Sequence, residues 1–308
     1  MNPKAIPARG YGRDDSPMPI LGLGGQSLIQ RSETDAPAIE LIHRALDLGI
    51  RYLDTAPLYG KSEIRIGMAI EHRRQDAFLA TKTAYRLGSS ARRSLERSLQ
   101  RLRTDYIDSL QLHCLMHKSE IGTIFGRYGI IRMAEKAKQE GLVRHIGITG
   151  HYEPSVLSEL LRRYPFDSVL IPVNVADRAE RSFMQDTMEA AQESGASVIA
   201  MKVMGAGQLT GRGLDPAKLL RYALTWPVTT AIVSCRSLED LEMNVETAAN
   251  FVPMTPDELV EAENAPRAVI DECNHIYKRR TGRGSLKRIL SNRIQAEAAK
   301  WLPGYWHF

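Results

Sequence analysis

Short apolar runs alternate with longer stretches that carry apolar residues every three or four positions, and the alternation persists along most of the chain. The runs at 19–24 (PILGLG), 51–55 (RYLDT), 77–81 (AFLAT), 106–112 (YIDSLQL), 143–149 (VRHIGIT), 167–173 (DSVLIPV), 197–202 (SVIAMK) and 230–234 (TAIVS) read as strands. The stretches at 35–49, 61–72, 89–103, 128–140, 153–163, 178–194, 215–226 and 237–250 read as helices, each with one apolar face, as in Ala38, Leu41, Ile42, Ala45 and Leu46. Ser89-Ser90 and Ser237 supply N-cap signals, and Glu239-Asp240 suits the positive end of the last of these helices.

Strands and helices in strict alternation predict a parallel sheet with helical crossovers. An open, doubly wound sheet fits poorly, because LGLGGQS after the first strand lacks the third glycine of a dinucleotide fingerprint and no strand-end acid follows about 20 residues later. A closed (β/α)8 (TIM) barrel takes up all the pairs in roughly 250 residues. The expected organisation is therefore an α/β barrel over 1–252 carrying the site, then a C-terminal helical extension over 253–308, entered at Pro253 and Pro256, with helices at 257–273 and 285–300.

Composition narrows the class. The 308 residues are 43% hydrophobic and 25% charged, ordinary for a globular chain with a large core. No apolar run nears the roughly 20 residues that cross a bilayer. The first 20 residues lack a signal-type apolar region, so a cytoplasmic chain with no membrane partner is expected. Cys114, Cys235 and Cys273 are scattered and make no disulfide framework, which agrees with a reducing compartment. The net charge of +5 comes from seven basic residues between 278 and 293, without which the chain sums to −2. That run reads as a solvated helix face; it is the one hint of a nucleic-acid partner, with no aromatic platform or finger spacing beside it. His113 and His117 lack a third ligand, so no metal is expected.

In such a barrel, chemistry gathers where strands end. Asp54 closes the second strand with Tyr59 in the loop beyond; Lys82 closes the third, His113 the fourth, Thr149 the fifth and Lys202 the seventh. Each alone has a plain structural reading: a loop-capping acid, a packed phenol, a rim charge, a core histidine. Together they form a proton-donating device. An ammonium near Tyr59 is expected to lower the phenol's pKa from about 10, Asp54 to hold the ammonium, and His113 to add a hydrogen bond to an oxygen gaining charge. Nothing here supplies electrons, so the reductant must be a cofactor, and hydride transfer to a carbonyl fits.

The residues that carry a family resemblance are LDTAPLYGKSEIRIG, LATKT, SLQRLRTDYIDSLQLH, GLVRHIGITGH and VIAMKVMGAGQLTG, with RYALTWPVTTAIVSCRSLEDLEMNVE beyond. The chain resembles the aldo/keto reductases over about 18–250. The resemblance implies a (β/α)8 oxidoreductase using NADP(H) in preference to NAD(H), acting on a small carbonyl or alcohol. It implies Tyr59 as general acid/base, Lys82 and Asp54 as its tuners and His113 as carbonyl orienter. It also implies a cofactor site built from Thr149, Lys202, Gly205, Gly207, Ser234, Arg236, Ser237, Asp240 and Asn244. Arg236 stands where the 2′-phosphate is met, and Asn244 where adenine is met. The sequence departs from the family at Gly150, Leu170 and Met201, where an asparagine, a glutamine and an aromatic commonly cradle the nicotinamide, and at Asp240; His151 and Lys202 stand where substitutes are needed. The resemblance thus leaves two readings, a carbonyl reductase or a nucleotide-binding regulatory subunit with little turnover.

Overall fold

A computed structural model describes residues 4–29, 34–179, 181–264 and 269–271. Ahead of the barrel lie β1 (Ala8–Tyr11) and β2 (Ser16–Pro19), an antiparallel hairpin. The barrel strands are β3 (Leu21–Gly24), β4 (Tyr52–Asp54), β5 (Phe78–Thr83), β6 (Ile107–Leu112), β7 (Val143–Thr149), β8 (Ser168–Pro172), β9 (Ser197–Met201) and β10 (Thr230–Val233). They close in the order β10-β3-β4-β5-β6-β7-β8-β9, every pair parallel. Parallel strands are covered on both faces, which is why successive residues of these strands are buried and not every second one.

The helices are α1 (Ala36–Asp47), α2 (Ser62–Ile70), α3 (Gly88–Leu102), α4 (Ser119–Phe125), α5 (Ile130–Gln139), α6 (Pro154–Arg163), α7 (Asp186–Ser194), α8 (Pro216–Thr225), α9 (Leu238–Ala249) and α10 (Pro256–Glu263). Each crossover buries its apolar stripe on the barrel, as Leu41, Ile42, Ala45 and Leu46 of α1 do. The eight-fold alternation is as expected, and the local differences have physical causes. The stretch 178–194 is helical chiefly over Asp186–Ser194. The loop after β6 holds the short helix α4 in front of α5. Ser89 and Ser90 fall inside the first turn of α3, with Leu87 at the N-cap position and no side-chain cap. Ser237 does cap α9, its Oγ accepting from Asp240 N at 3.2 Å.

The hairpin was invisible to periodicity because its strands are four residues each and mixed in polarity. Its function in the fold is packing. Tyr11 is fully buried and donates from Oη to Ser168 Oγ at 3.1 Å. Its ring meets Phe78 edge-on at 4.6 Å and lies 6.2 Å from Tyr52. Tyr52 and Phe78 are the first residues of β4 and β5, so the hairpin closes the N-terminal mouth and leaves the opposite mouth for chemistry.

Beyond the barrel, Thr255 and Glu258 form a capping box on α10. The helix docks on α8 through Arg221–Glu258 at 2.6 Å and Tyr222 Oη donating to Glu263 at 2.9 Å. The expected helix over 285–300, the basic run and Cys273 lie outside the described residues. Among the described residues, no helix is long and apolar enough to cross a membrane.

Candidate active site

Asp54 ends β4 and Lys82 lies near the end of β5, on the same inward face, because the register pairs Asp54 with Ala80 and side chains repeat every second residue. Lys82 Nζ donates to Asp54 Oδ1 at 2.6 Å and to Thr55 O at 2.8 Å. Both side chains are buried, at 1% and 4% exposure. Burial pushes the Asp54 carboxyl up and the Lys82 ammonium down, and each charge pulls its partner back towards ionisation. The ammonium sits 5.1 Å from the centre of the Tyr59 ring. His113, held to β5 by its N–H to Thr83 O at 2.9 Å, presents its ring to Tyr59 at 6.0 Å and 86°.

The expectation that Lys82 lowers the Tyr59 pKa is not what the surroundings produce. Burial dominates, with Asp54 and Cys114 adding to it, and the phenol is held above its ordinary value, fully protonated near neutrality. The Lys82 charge is largely spent on Asp54. His113 is pushed the other way, well below the ordinary imidazole value, first by burial and then by Lys82, His151, Arg86 and Lys202. The mouth therefore carries a neutral phenol and a neutral imidazole, two hydrogen-bond donors converging beside a buried ammonium.

Behind Asp54 and Tyr59 stands a support that strand-end reasoning did not reveal. Thr55 Oγ1 donates to Ser62 Oγ at 2.9 Å, and Ser62 N closes the Tyr59 turn onto Tyr59 O at 2.9 Å. Glu63 is buried at 1% exposure, accepting from Thr81 Oγ1 and Arg101 Nε, each at 2.6 Å. Ser and Glu after the glycine turn look like helix openers; they are buried struts between β4, β5 and α3. Gly25 is equally constrained, since a Cβ there would lie 2.3 Å from Asp54 O. Arg65 binds Asp35 at 2.8 Å and the Leu28 carbonyl, tying down the loop after β3.

The proposed nucleotide residues divide into those the barrel gathers and those already engaged. Thr149 ends β7, fully buried, and its Oγ1 has no hydrogen-bond partner among the described residues. Its register partner is Leu170, which offers none, and Met201 adds a second apolar wall. A Cβ on Gly150 would come within 3.0 Å of Leu115 O and 3.2 Å of Leu157, so the loop after β6 or α6 would have to give by a few tenths of an ångström to admit an asparagine. Lys202 takes a left-handed backbone (φ 57°), and its charge reaches both Asp54 and His113. The N–H groups of Gly205 and Gly207 close turns onto Lys202 O and Met204 O at 2.7 and 2.9 Å. What these glycines provide is positive φ, and a Cβ on Gly207 would stand in ordinary contact, 3.7 Å from Arg236 Nη2. The loops after β9 and β10 thus converge on the Arg236 guanidinium. Ser234 Oγ donates to Gly24 O at 3.2 Å. Asp240 is turned inward, its Oδ2 accepting from Arg236 N at 2.9 Å. Asn244 is buried, donating to Asp240 O at 2.7 Å, with Oδ1 lacking a partner among the described residues. Beside Arg236 and Ser237 lies a cleft of about 140 Å3, walled also by Ser27, Glu40 and Arg65.

A profile of the Aldo/keto reductase family matches residues 20–219. The chain belongs to that family. It is an oxidoreductase acting on carbonyl and alcohol groups with a nicotinamide nucleotide. An uncharacterised oxidoreductase of Bacillus subtilis (strain 168) is 29% identical over 302 residues, covering 82% of this chain and 94% of the relative. L-galactose dehydrogenase of Arabidopsis thaliana is 30% identical over 247 residues, covering 75% of this chain and 76% of that protein. Among solved structures, an aldo-keto reductase from Bacillus halodurans in its holo form superposes with a TM-score of 0.71 at 27% identity, over 87% of this chain and 96% of that one. For this aldo/keto reductase the polar groups fit a dinucleotide: a partnerless hydroxyl at Thr149 and amide oxygen at Asn244, a guanidinium where two loops meet, and a cleft beside that guanidinium.

Proposed function

We propose that this aldo/keto reductase reduces the carbonyl of a small aldehyde or ketone with NADP(H), taking the proton from Tyr59. The observation that carries the reading is the buried Lys82–Asp54 pair at 2.6 Å beneath the Tyr59 ring, with His113 edge-on to the same ring. A nicotinamide held there would supply the hydride. Tyr59 Oη gives its proton to the carbonyl oxygen, which becomes the alcohol hydroxyl, and the phenolate left behind is stabilised by the Lys82 ammonium. His113, neutral, donates a hydrogen bond that orients the carbonyl. Asp54 keeps Lys82 charged and in place despite its burial. In the oxidation direction the same proton returns to Tyr59.

Thr149 and Lys202 would hold the nicotinamide end, and Asn244 the adenine. Arg236, Ser234 and Ser237 would meet the phosphate on the adenosine ribose, with the loop at Gly205 and Gly207 lying against the pyrophosphate. The preference for NADP(H) rests on Arg236, whose exposed guanidinium faces the Gly207 loop and the adjoining cleft. The barrel carries the chemistry in this reading, in a cytoplasmic chain; no polyanion partner belongs to it.

The apolar walls at Leu170 and Met201 favour a second reading, in which nucleotide binds and little turns over. One assay separates them: NADPH oxidation with a panel of aldehydes and ketones, comparing wild type with Tyr59→Phe. Loss of roughly 10²–10⁴-fold in kcat for the variant supports the reductase. Equal rates across the panel would leave the nucleotide-binding reading.

A further inference from the structure

The strand carrying His113 does not end smoothly. His113 N still pairs with β5, through Thr83 O at 2.9 Å, whereas Leu115 N pairs with the other neighbour, β7, through Thr149 O at 2.8 Å. Between them Cys114 takes a left-handed conformation (φ 54°), which a side chain other than glycine's disfavours. At such a kink the carbonyls of His113 and Cys114 leave the ladder, and the N–H groups beyond need new partners. One ion pair collects them. Arg86, four residues past Lys82, donates from Nη2 to His113 O at 2.8 Å and to Cys114 O at 3.3 Å. Its Nη1 donates to Ala84 O at 3.0 Å, and its Nε to Glu120 Oε1 at 2.9 Å. The other oxygen of Glu120 accepts from Met116 N at 2.8 Å and His117 N at 2.9 Å. The two side chains are 14% and 22% exposed, sheltered enough for the geometry to hold.

We infer that Arg86 and Glu120 are positioning residues for His113: together they fasten four backbone groups from His113 to His117 and so fix the imidazole edge-on to Tyr59. The role rests on the carbonyl-reducing function proposed above, because it gives His113 something to orient. It has an electrostatic side as well. The groups that face or act on His113 are Tyr59 from the loop after β4, Lys82 on β5, His151 after β7 and Lys202 after β9. To these Arg86 adds a cation that opposes protonation of the imidazole. A guanidinium suits the task because its planar fork reaches two carbonyls and a carboxylate at once, which an ammonium cannot do in fixed geometry.

The test uses the full chain as wild type, Arg86→Ala, Arg86→Lys and Glu120→Gln. The His113 ring is followed by proton NMR against pH without added nucleotide, its signal assigned by loss in His113→Asn. Steady-state kcat and KM for an aldehyde, the Kd for NADPH and the Tm are measured on the same samples. In Arg86→Ala we expect kcat to fall at least ten-fold, the NADPH Kd to stay within two-fold and the His113 titration to move to higher pH. Arg86→Lys restores the titration and not the full rate, separating charge from geometry. Glu120→Gln gives an intermediate loss of kcat, and stands in if Arg86→Ala does not fold. An Arg86→Ala protein with wild-type kcat and an unmoved His113 titration overturns the inference, as does a rate loss that merely tracks the folded fraction. Should wild type turn over no carbonyl, the chemical shifts of the neutral His113 ring at pH 8 still decide the positioning role, moved in Arg86→Lys if the ring is re-aimed and unmoved if it is not, and the missing turnover counts against the proposed function alone.

Discussion

The ammonium of Lys82 and the carboxylate of Asp54 meet at 2.6 Å in a space almost closed to water. Removing either partner strands the other charge, and such a loss costs about 3–5 kcal/mol, whereas removing both leaves no charge uncompensated. Asp54→Asn and Lys82→Met are therefore each expected to lower the urea midpoint, with the double variant more stable than the Lys82-bearing single Asp54→Asn. Additive losses in the urea series would mean that the pair is not coupled.

His113 makes stability depend on acid. Its folded-state pKa is depressed below the ordinary 6.5, so above that value neither state carries the proton and the neutral ring costs nothing. As pH falls below 6.5 the unfolded chain binds a proton that the folded chain refuses, and stability drops by at most about 1.4 kcal/mol per pH unit for this one group until the folded pKa is reached. His113→Asn removes that linkage. Its stability curve between pH 7.5 and 5 is expected to be flatter than that of wild type; parallel curves in chemical denaturation contradict it.

Glu63 belongs to the most motif-like stretch of the chain but touches Thr81 and Arg101, not the mouth of the barrel. Glu63→Ala is expected to cost about 3 kcal/mol of folding stability, the lower end of the range for a broken buried pair, since Arg101 at 30% exposure can turn to water. At temperatures where the variant is folded, its kcat is expected to lie within a few-fold of wild type. A collapse of kcat at full folding would assign Glu63 to the chemistry.

Arg236 discriminates between the two nucleotides only if its guanidinium meets a phosphate. Charge-assisted contacts of this kind contribute about 1.5–3 kcal/mol, so Arg236→Ala is expected to weaken NADPH binding by roughly 10–100-fold. NADH binding stays within two-fold. Fluorescence titration with both nucleotides checks it, and an equal loss for both would remove the basis for NADP(H) preference.

Tyr11 seals the barrel floor by packing and by its hydrogen bond to Ser168. Tyr11→Ala leaves a cavity among Tyr52, Phe78 and Ser168, and a loss of about 3–5 kcal/mol in unfolding free energy is expected, with the NADPH Kd unchanged. A stable variant that no longer binds nucleotide would place the hairpin in the functional machinery.

What the chain declares locally is its element order and the residues at strand ends. Apolar runs bounded by turns are local signals, and eight of them alternating with amphipathic stretches leave few closures besides a parallel barrel, which is why Asp54, Lys82, His113 and Thr149 were placed correctly on β4, at β5, after β6 and on β7. The hairpin is too short and too mixed in polarity to show in periodicity, while α4 and the buried Ser62–Glu63 struts depend on partners from other elements: Glu120 on Arg86, Glu63 on Arg101. The direction of the Tyr59 shift depends on other elements too. A sequence shows that an ammonium and a phenol are near; it does not show that Asp54 takes up the ammonium's charge while burial takes water from the phenol. Periodicity is written residue by residue, so the sequence by itself determined the barrel and which side chains reach its mouth. Desolvation and hydrogen bonding depend on everything packed around a group, so the protonation of those side chains, and the ion pair that aims His113, were decided by the tertiary structure.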